Sequence, residues 1–139
     1  MKTFAPEWLA EVPGATELFE WFGFWPSFHD AEVLSISLTR TGASIVRVHT
    51  FETTDKVDAK GYFVSQKHVV VSFLLEDVST CDLAWFNNQN ALFGMTLTRV
   101  DDGFELNMRA AYGVSGSITA RSIRVEIAPG IPDASQYKE

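Results

Sequence analysis

Residues 32–39, EVLSISLT, decide the fold: Leu34, Ile36 and Leu38 alternate with Ser35, Ser37 and Thr39, the period-two pattern of a strand with one face in a core and the other in water. The same chemistry recurs toward the C-terminus. A turn at Thr41 and Gly42 leads to a second strand over roughly 44–52, with Val46 and Val48 on one face and Arg47 and His49 on the other, so the two strands read as a hairpin. Residues 53–61, TTDKVDAKG, carry no apolar face and are expected to form an exposed loop. Strand character resumes from Tyr62 to Leu75, apolar enough from His68 onward for burial on both sides. The stretch CDLAWFNNQNALFG, 81–94, is too polar at Asn87, Asn88, Gln89 and Asn90 for a regular core element and is expected as a short helix or ordered loop. Gly94–Val100 and Phe104–Ala111 flank Asp101, Asp102 and Gly103 as a hairpin, and Ile123, Val125 and Ile127 share one face of a last strand that stops at Pro129.

Toward the N-terminus the period changes. Pro6 suits the first position of a short helix, and Gly14 with Thr16 ends it and starts another that runs to Phe22, with Leu18, Trp21 and Phe22 on one face. Gly23 fits the left-handed residue after that helix, and Pro26 pushes Trp25 into an extended conformation. The expected architecture is α+β: an antiparallel sheet of about six strands with short N-terminal helices packed on one face. The 139 residues suit a single domain, with a helical segment and aromatic corner at 1–31, the sheet at 32–128 and a loose tail at 129–139.

Composition narrows the function. Eighteen acidic against eleven basic residues leave a net charge of −7, the wrong sign for a phosphate backbone, so nucleic acid is not expected as a partner. A lone Cys81 speaks against a disulfide framework, no apolar run reaches membrane-spanning length, and Pro6, Glu7, Glu11 and Pro13 interrupt any secretion signal; a cytoplasmic location is the expectation. Three histidines, His29, His49 and His68, with Asp30 or Glu32 supply ligand chemistry but no ligand spacing, so neither metal nor cofactor is expected. Cys81 has no nearby base and sits beside Asp82, which disfavours its thiolate.

The densest chemistry is WFGFWPSFHDAEV, 21–33, with five aromatic rings, a histidine and two carboxylates. Its bland reading is a helix-to-strand corner built by Trp25, Phe28, His29 and Asp30, with the Asp30 carboxylate accepting turn N–H groups. Its sharper reading is a small enzyme or carbohydrate-binding module, with Asp30 and Glu32 roughly 7 Å apart on one strand face for acid–base work and Trp25 and His29 beside them.

Taken with VHTFE at 48–52, KHVVVSFLLEDV at 67–78, FNNQN at 86–90 and YGVSGSI at 112–118, the motif WPSFHDAEV resembles the immunity protein 50 family of bacterial polymorphic-toxin systems over roughly residues 20–126. The resemblance implies a non-enzymatic protein that binds and neutralises a cognate toxin in the cytoplasm. The acidic balance adds the expectation of a basic surface on that toxin, and the polar loop offers Trp85, Asn88 and Gln89 as candidate contact residues.

Overall fold

The strand that starts at Glu32 is the margin at which the sheet closes on itself. In the computed structural model, which describes residues 5–137, a 3-10 turn at Leu9–Glu11 and one helix, α1 (Ala15–Phe22), precede six strands: β1 (Glu32–Ser37), β2 (Ser44–Val57), β3 (Phe63–Ala84), β4 (Ala91–Val100), β5 (Gly103–Tyr112) and β6 (Ser115–Pro129). Residues 1–4 and 138–139, the outer ends of the expected helical segment and tail, lie outside the described residues. All neighbouring strands are antiparallel, in the order β1-β2-β3-β6-β5-β4, and β1 meets β4 to complete a barrel.

The antiparallel six-strand sheet matches the expectation. Two features differ. The sheet is a closed barrel, and the helical part is a single eight-residue helix with a 3-10 turn where two short helices were expected. Alternation within one strand is a local property, whereas closure depends on how the first strand meets a strand about 60 residues later in the chain, which periodicity does not encode. Helix α1 begins and ends at glycine, as the sequence suggested. Gly14 (φ 85°) lies so close to β6 that a Cβ would overlap the Val125 carbonyl, and Gly23 (φ 83°) donates its N–H to the Phe19 carbonyl at 2.7 Å. Ala15, Leu18 and Phe22 are buried, and the Trp21 indole N–H donates to the Lys67 carbonyl at 2.9 Å, tying the helix to β3.

Strand boundaries differ where side-chain polarity masks backbone pairing. Residues 53–57 continue β2, because the Thr53–Ser65 and Val57–Phe63 pairings extend the β2–β3 hairpin into solvent, and only its tip turns. Cys81–Ala84 ends β3 and Ala91 opens β4, so 81–94 holds no helix and its irregular part is 85–90 alone. In β1 a bulge between Val33 and Ser35 resets the alternation. Val33 is consequently buried, Ile36 half-buried and Leu38 exposed, where an unbroken period would have sent Leu34, Ile36 and Leu38 inward together.

Val33, Val46, Val48, Val71, Phe73, Leu92, Met95, Leu106, Met108 and Ile118 belong to one buried apolar cluster. Phe28 is 2% exposed, its ring 5.9 Å from that of Phe73 and 6.4 Å from that of Trp25, which is itself edge-on to Trp8 at 5.0 Å. This ladder of rings carries the helix exit into the core. Truncating Phe28 to alanine removes a buried ring and leaves a cavity, so urea denaturation of Phe28→Ala is expected to show a loss of about 3 to 5 kcal/mol, while His29→Ala, at a mostly exposed side chain, stays within about 0.5 kcal/mol of the parent.

Candidate functional site

The corner motif does its structural work through its backbone. Phe28 (φ 63°) and Asp30 (φ 67°) both adopt the left-handed conformation. That geometry aims the Asp30 N–H at the Leu92 carbonyl (2.9 Å), while Leu92 N–H donates to Ala31 O (2.8 Å), Met95 N–H to Ser27 O (3.1 Å) and Val33 N–H to Asn90 O (3.0 Å). The corner thereby joins β1 to β4. The Asp30 carboxylate, expected to accept turn N–H groups, is instead half-exposed and lies 3.2 Å from His29 Nδ1 on the surface.

Glu32 points elsewhere. It is buried, so the Asp30 and Glu32 carboxylates and His29 do not converge in one pocket with Trp25. Glu32 opens a chain that crosses three adjacent strands on the outer face of the wall. Glu32 Oε1 lies 2.7 Å from His49 Nδ1, His49 Nε2 lies 2.9 Å from His68 Nδ1, and His68 Nε2 lies 2.9 Å from Ser65 Oγ. Assigned from this network, each neutral ring has one tautomer: His49 Nδ1–H donates to Glu32, His68 Nδ1–H donates to His49, and the Ser65 hydroxyl donates to His68. A bulge helps compose it, since Lys67 and His68 together stand opposite Phe51 alone, with Lys67 at φ 56°.

His49 is fully buried although its face of β2 points away from the core, because the C-terminal segment covers it. Gln136 N–H donates to Glu32 Oε2 (2.9 Å), Ser135 Oγ lies 3.3 Å from His49 Nδ1, and the Tyr137 ring is edge-on to Phe51 at 4.8 Å. Residues 135–137 of the tail expected to be loose therefore make specific contacts, and their polar partners were invisible without the register. Of the three histidines and two carboxylates singled out as ligand chemistry, the fold gathers His49, His68 and Glu32 and leaves His29 and Asp30 apart. Both His49 nitrogens are engaged in hydrogen bonds, and among the described residues no group of three or more histidine, cysteine, aspartate or glutamate side chains is arranged to hold a metal ion.

The second site is the loop 85–90. Trp85 (φ 70°) is 79% exposed and Phe86 is 55% exposed beside it. Behind them the loop is fixed by amides: Asn90 Oδ1 accepts the N–H groups of Asn87 (2.8 Å) and Val114 (3.2 Å), and Asn87 Oδ1 accepts those of Gln89 (2.8 Å) and Asn90 (3.0 Å). Gly113 packs directly on the two asparagines, at φ 111°, where any Cβ would collide with both. Asn88 and Gln89 project into solvent. Trp85, Phe86, Ile36, Leu38, Leu83 and Val114 line an apolar groove of about 300 Å³. Leu38 is shared with a wider cleft of about 1410 Å³ walled by Glu76, Asp77, Asp101 and Asp102 against Arg40 and Arg121.

A family model described as Immunity protein 50 matches residues 14–129, most of the chain. The chain belongs to the immunity protein 50 family. The match takes in the left-handed corner, the histidine chain and the amide-braced loop, and stops short of the segment that covers Glu32 and His49. No curated protein and no solved structure matches the chain.

Among this family member's residues, His68 was weighed only as ligand chemistry, and Ser65, Ser135, Asn90 and Phe86 were not anticipated as parts of a site. Outward-facing His49 on a strand was the available signal for the first, since a buried polar residue there requires polar partners. Burial, with the neighbouring His49 ring, holds the His68 pKa below the ordinary histidine value against the opposing pull of Glu32. The folded chain thus binds fewer protons at His68 than the unfolded chain, and this contribution to stability is present above the unfolded pKa of about 6.5 and lost as pH falls through the folded value. Urea midpoints are expected to fall on acidification from about pH 7.5 toward 5, and His68→Gln to flatten that dependence. Asn90→Ala, which orphans two backbone donors, is expected to cost roughly 2 to 4 kcal/mol by the same assay.

Proposed function

We propose that this chain neutralises a cognate toxin domain by binding and occluding it, acting in the cytoplasm without catalytic turnover, and that the loop 85–90 supplies the anchor. Membership of the immunity protein family supports the general role. The observation that carries the anchor is Trp85: a large ring, 79% exposed, held at a left-handed backbone position on a loop braced by four amide hydrogen bonds. An exposed aromatic on a rigid support loses little side-chain freedom on binding and buries large area, which is the physical profile of a hot spot. Phe86 and the adjoining groove extend the apolar centre, and Asn88 and Gln89 provide rim hydrogen bonds.

Charge specifies the partner further. The neighbouring cleft sets Glu76, Asp77, Asp101 and Asp102 against Arg40 and Arg121, an acidic excess, and the chain as a whole is at −7, so the complementary toxin surface is basic, as a surface built to hold a polyanionic substrate is. Opposite charge accelerates encounter, whereas residence time resides in the buried anchor.

The two contributions separate in a binding experiment with the toxin domain encoded beside this chain, using surface plasmon resonance with rescue of toxin-expressing cells as the companion readout. Raising ionic strength from about 0.05 to 0.5 M, where the screening length falls to roughly 4 Å, is expected to slow association markedly and to leave dissociation almost constant. Trp85→Ala is expected to speed dissociation by about 30-fold or more with the thermal midpoint unchanged. Absence of binding at micromolar toxin, or absence of rescue by soluble protein, would overturn the assignment.

A further inference from the structure

The polar chain on the outer wall has no part in the docking surface, yet its order is that of a nucleophile, a base and two groups that orient the base. We propose that Ser65 is an activated nucleophile that takes an acyl group from activated carboxylic esters, with His68 as its general base and His49 and Glu32 as positioning residues.

Direction is the first argument. Each link fixes the tautomer of the next, so that the only unprotonated nitrogen left to the Ser65 hydroxyl is His68 Nε2, at 2.9 Å. Burial is the second. His49 is fully buried and Glu32 nearly so, whereas His68 and Ser65 are half-exposed, so the chain runs from a shielded carboxylate to a hydroxyl that solvent reaches. The positioning end is also closed off, by Gln136 N–H on the second Glu32 oxygen and by Ser135 beside His49. The rings of His49 and His68 stack at 5.0 Å with 18° between planes, with Phe51 against both, which holds the base in one orientation.

In the reaction a bond forms between Ser65 Oγ and the acyl carbon. The hydroxyl proton passes to His68 Nε2, and the ester C–O bond breaks with its electron pair leaving on the alkoxide or phenolate. The imidazolium formed on His68 is stabilised through its Nδ1–H bond to His49, which Glu32 polarises in turn. Lys67 adjoins His68 on its own strand and lies 4.0 Å from Glu52 of β2, Tyr137 of the tail packs on the Phe51 ring that also meets His68, and the Gly130 N–H, just past β6, donates to the His68 carbonyl. The product is a serine ester, and the expected reading is one acyl group per chain at Ser65.

The test is incubation of the full chain with p-nitrophenyl acetate, with intact-mass analysis and peptide mapping to place the acetyl group. Acetylation at Ser65 is expected, absent in Ser65→Ala and slowed about 100-fold in His68→Gln, both folded by circular dichroism. The parent rate should rise with pH along a single titration whose midpoint lies below the ordinary histidine range, a titration that His68→Gln abolishes and Glu32→Gln displaces. Acetylation confined to lysine amines, or a His68→Gln rate equal to the parent's, would overturn the proposal. Either result leaves the docking role of Trp85 untouched, since the two sites share no residue.

Discussion

Closure of the barrel at one short seam is the constraint on which the remaining structure depends. β3 and β6 are paired along a long ladder from Val69–Pro129 to Ala84–Ser115, but β1 and β4 share a single bridge at Glu32 and Ala91. The seam is completed by backbone bonds from the corner, which exist only because Phe28 and Asp30 accept left-handed conformations that cost roughly 1 kcal/mol or more each outside glycine. The Phe28 ring offsets that cost by entering the core, so backbone strain and ring burial are coupled in one residue. The dense aromatic motif is therefore a device for bending the chain, and its His29 and Asp30 side chains remain at the surface.

Once the seam is fixed, the rest of the polar architecture follows from register. β1, β2 and β3 lie side by side, Glu32 pairs with His49, and the bulge at Lys67 and His68 sets the second histidine against the first. A polar group on the outer wall would normally be solvated. Here residues 135–137 cover it, and every buried side-chain nitrogen and oxygen among the described residues finds a partner. The cost of burying the Glu32 carboxylate and the His49 imidazole is met by directed hydrogen bonds that run on to the half-exposed His68.

Local features were legible in the sequence because they are dictated within a few residues: helix α1 between two glycines, the β4–β5 hairpin around Gly103, the start of β1 at Glu32. Trp85, Asn88 and Gln89 were recognisable as a polar loop for the same reason, and the structure adds Phe86 and the Asn87–Asn90 brace. The histidine chain was not legible. His49 and His68 stood out as isolated residues about 20 positions apart, and their contact depends on a bulge; Ser65 and Ser135 carry no signal of their own. The outward course of 53–57 was hidden by the opposite effect, since a hairpin projecting into water needs no apolar face to be a strand.

The position of the amide loop has an implication for mechanics. Loop 85–90 leads directly into the β4 margin of the seam, and its Asn90 side chain reaches the Val33 carbonyl on the β1 margin, so the loop straddles the line along which the barrel would unzip. A macromolecule resting on Trp85 would act as a rivet across that line. The complex would then be harder to open than the free chain by the free energy of association, and proteases that depend on transient opening at the corner would find the bound protein closed to them.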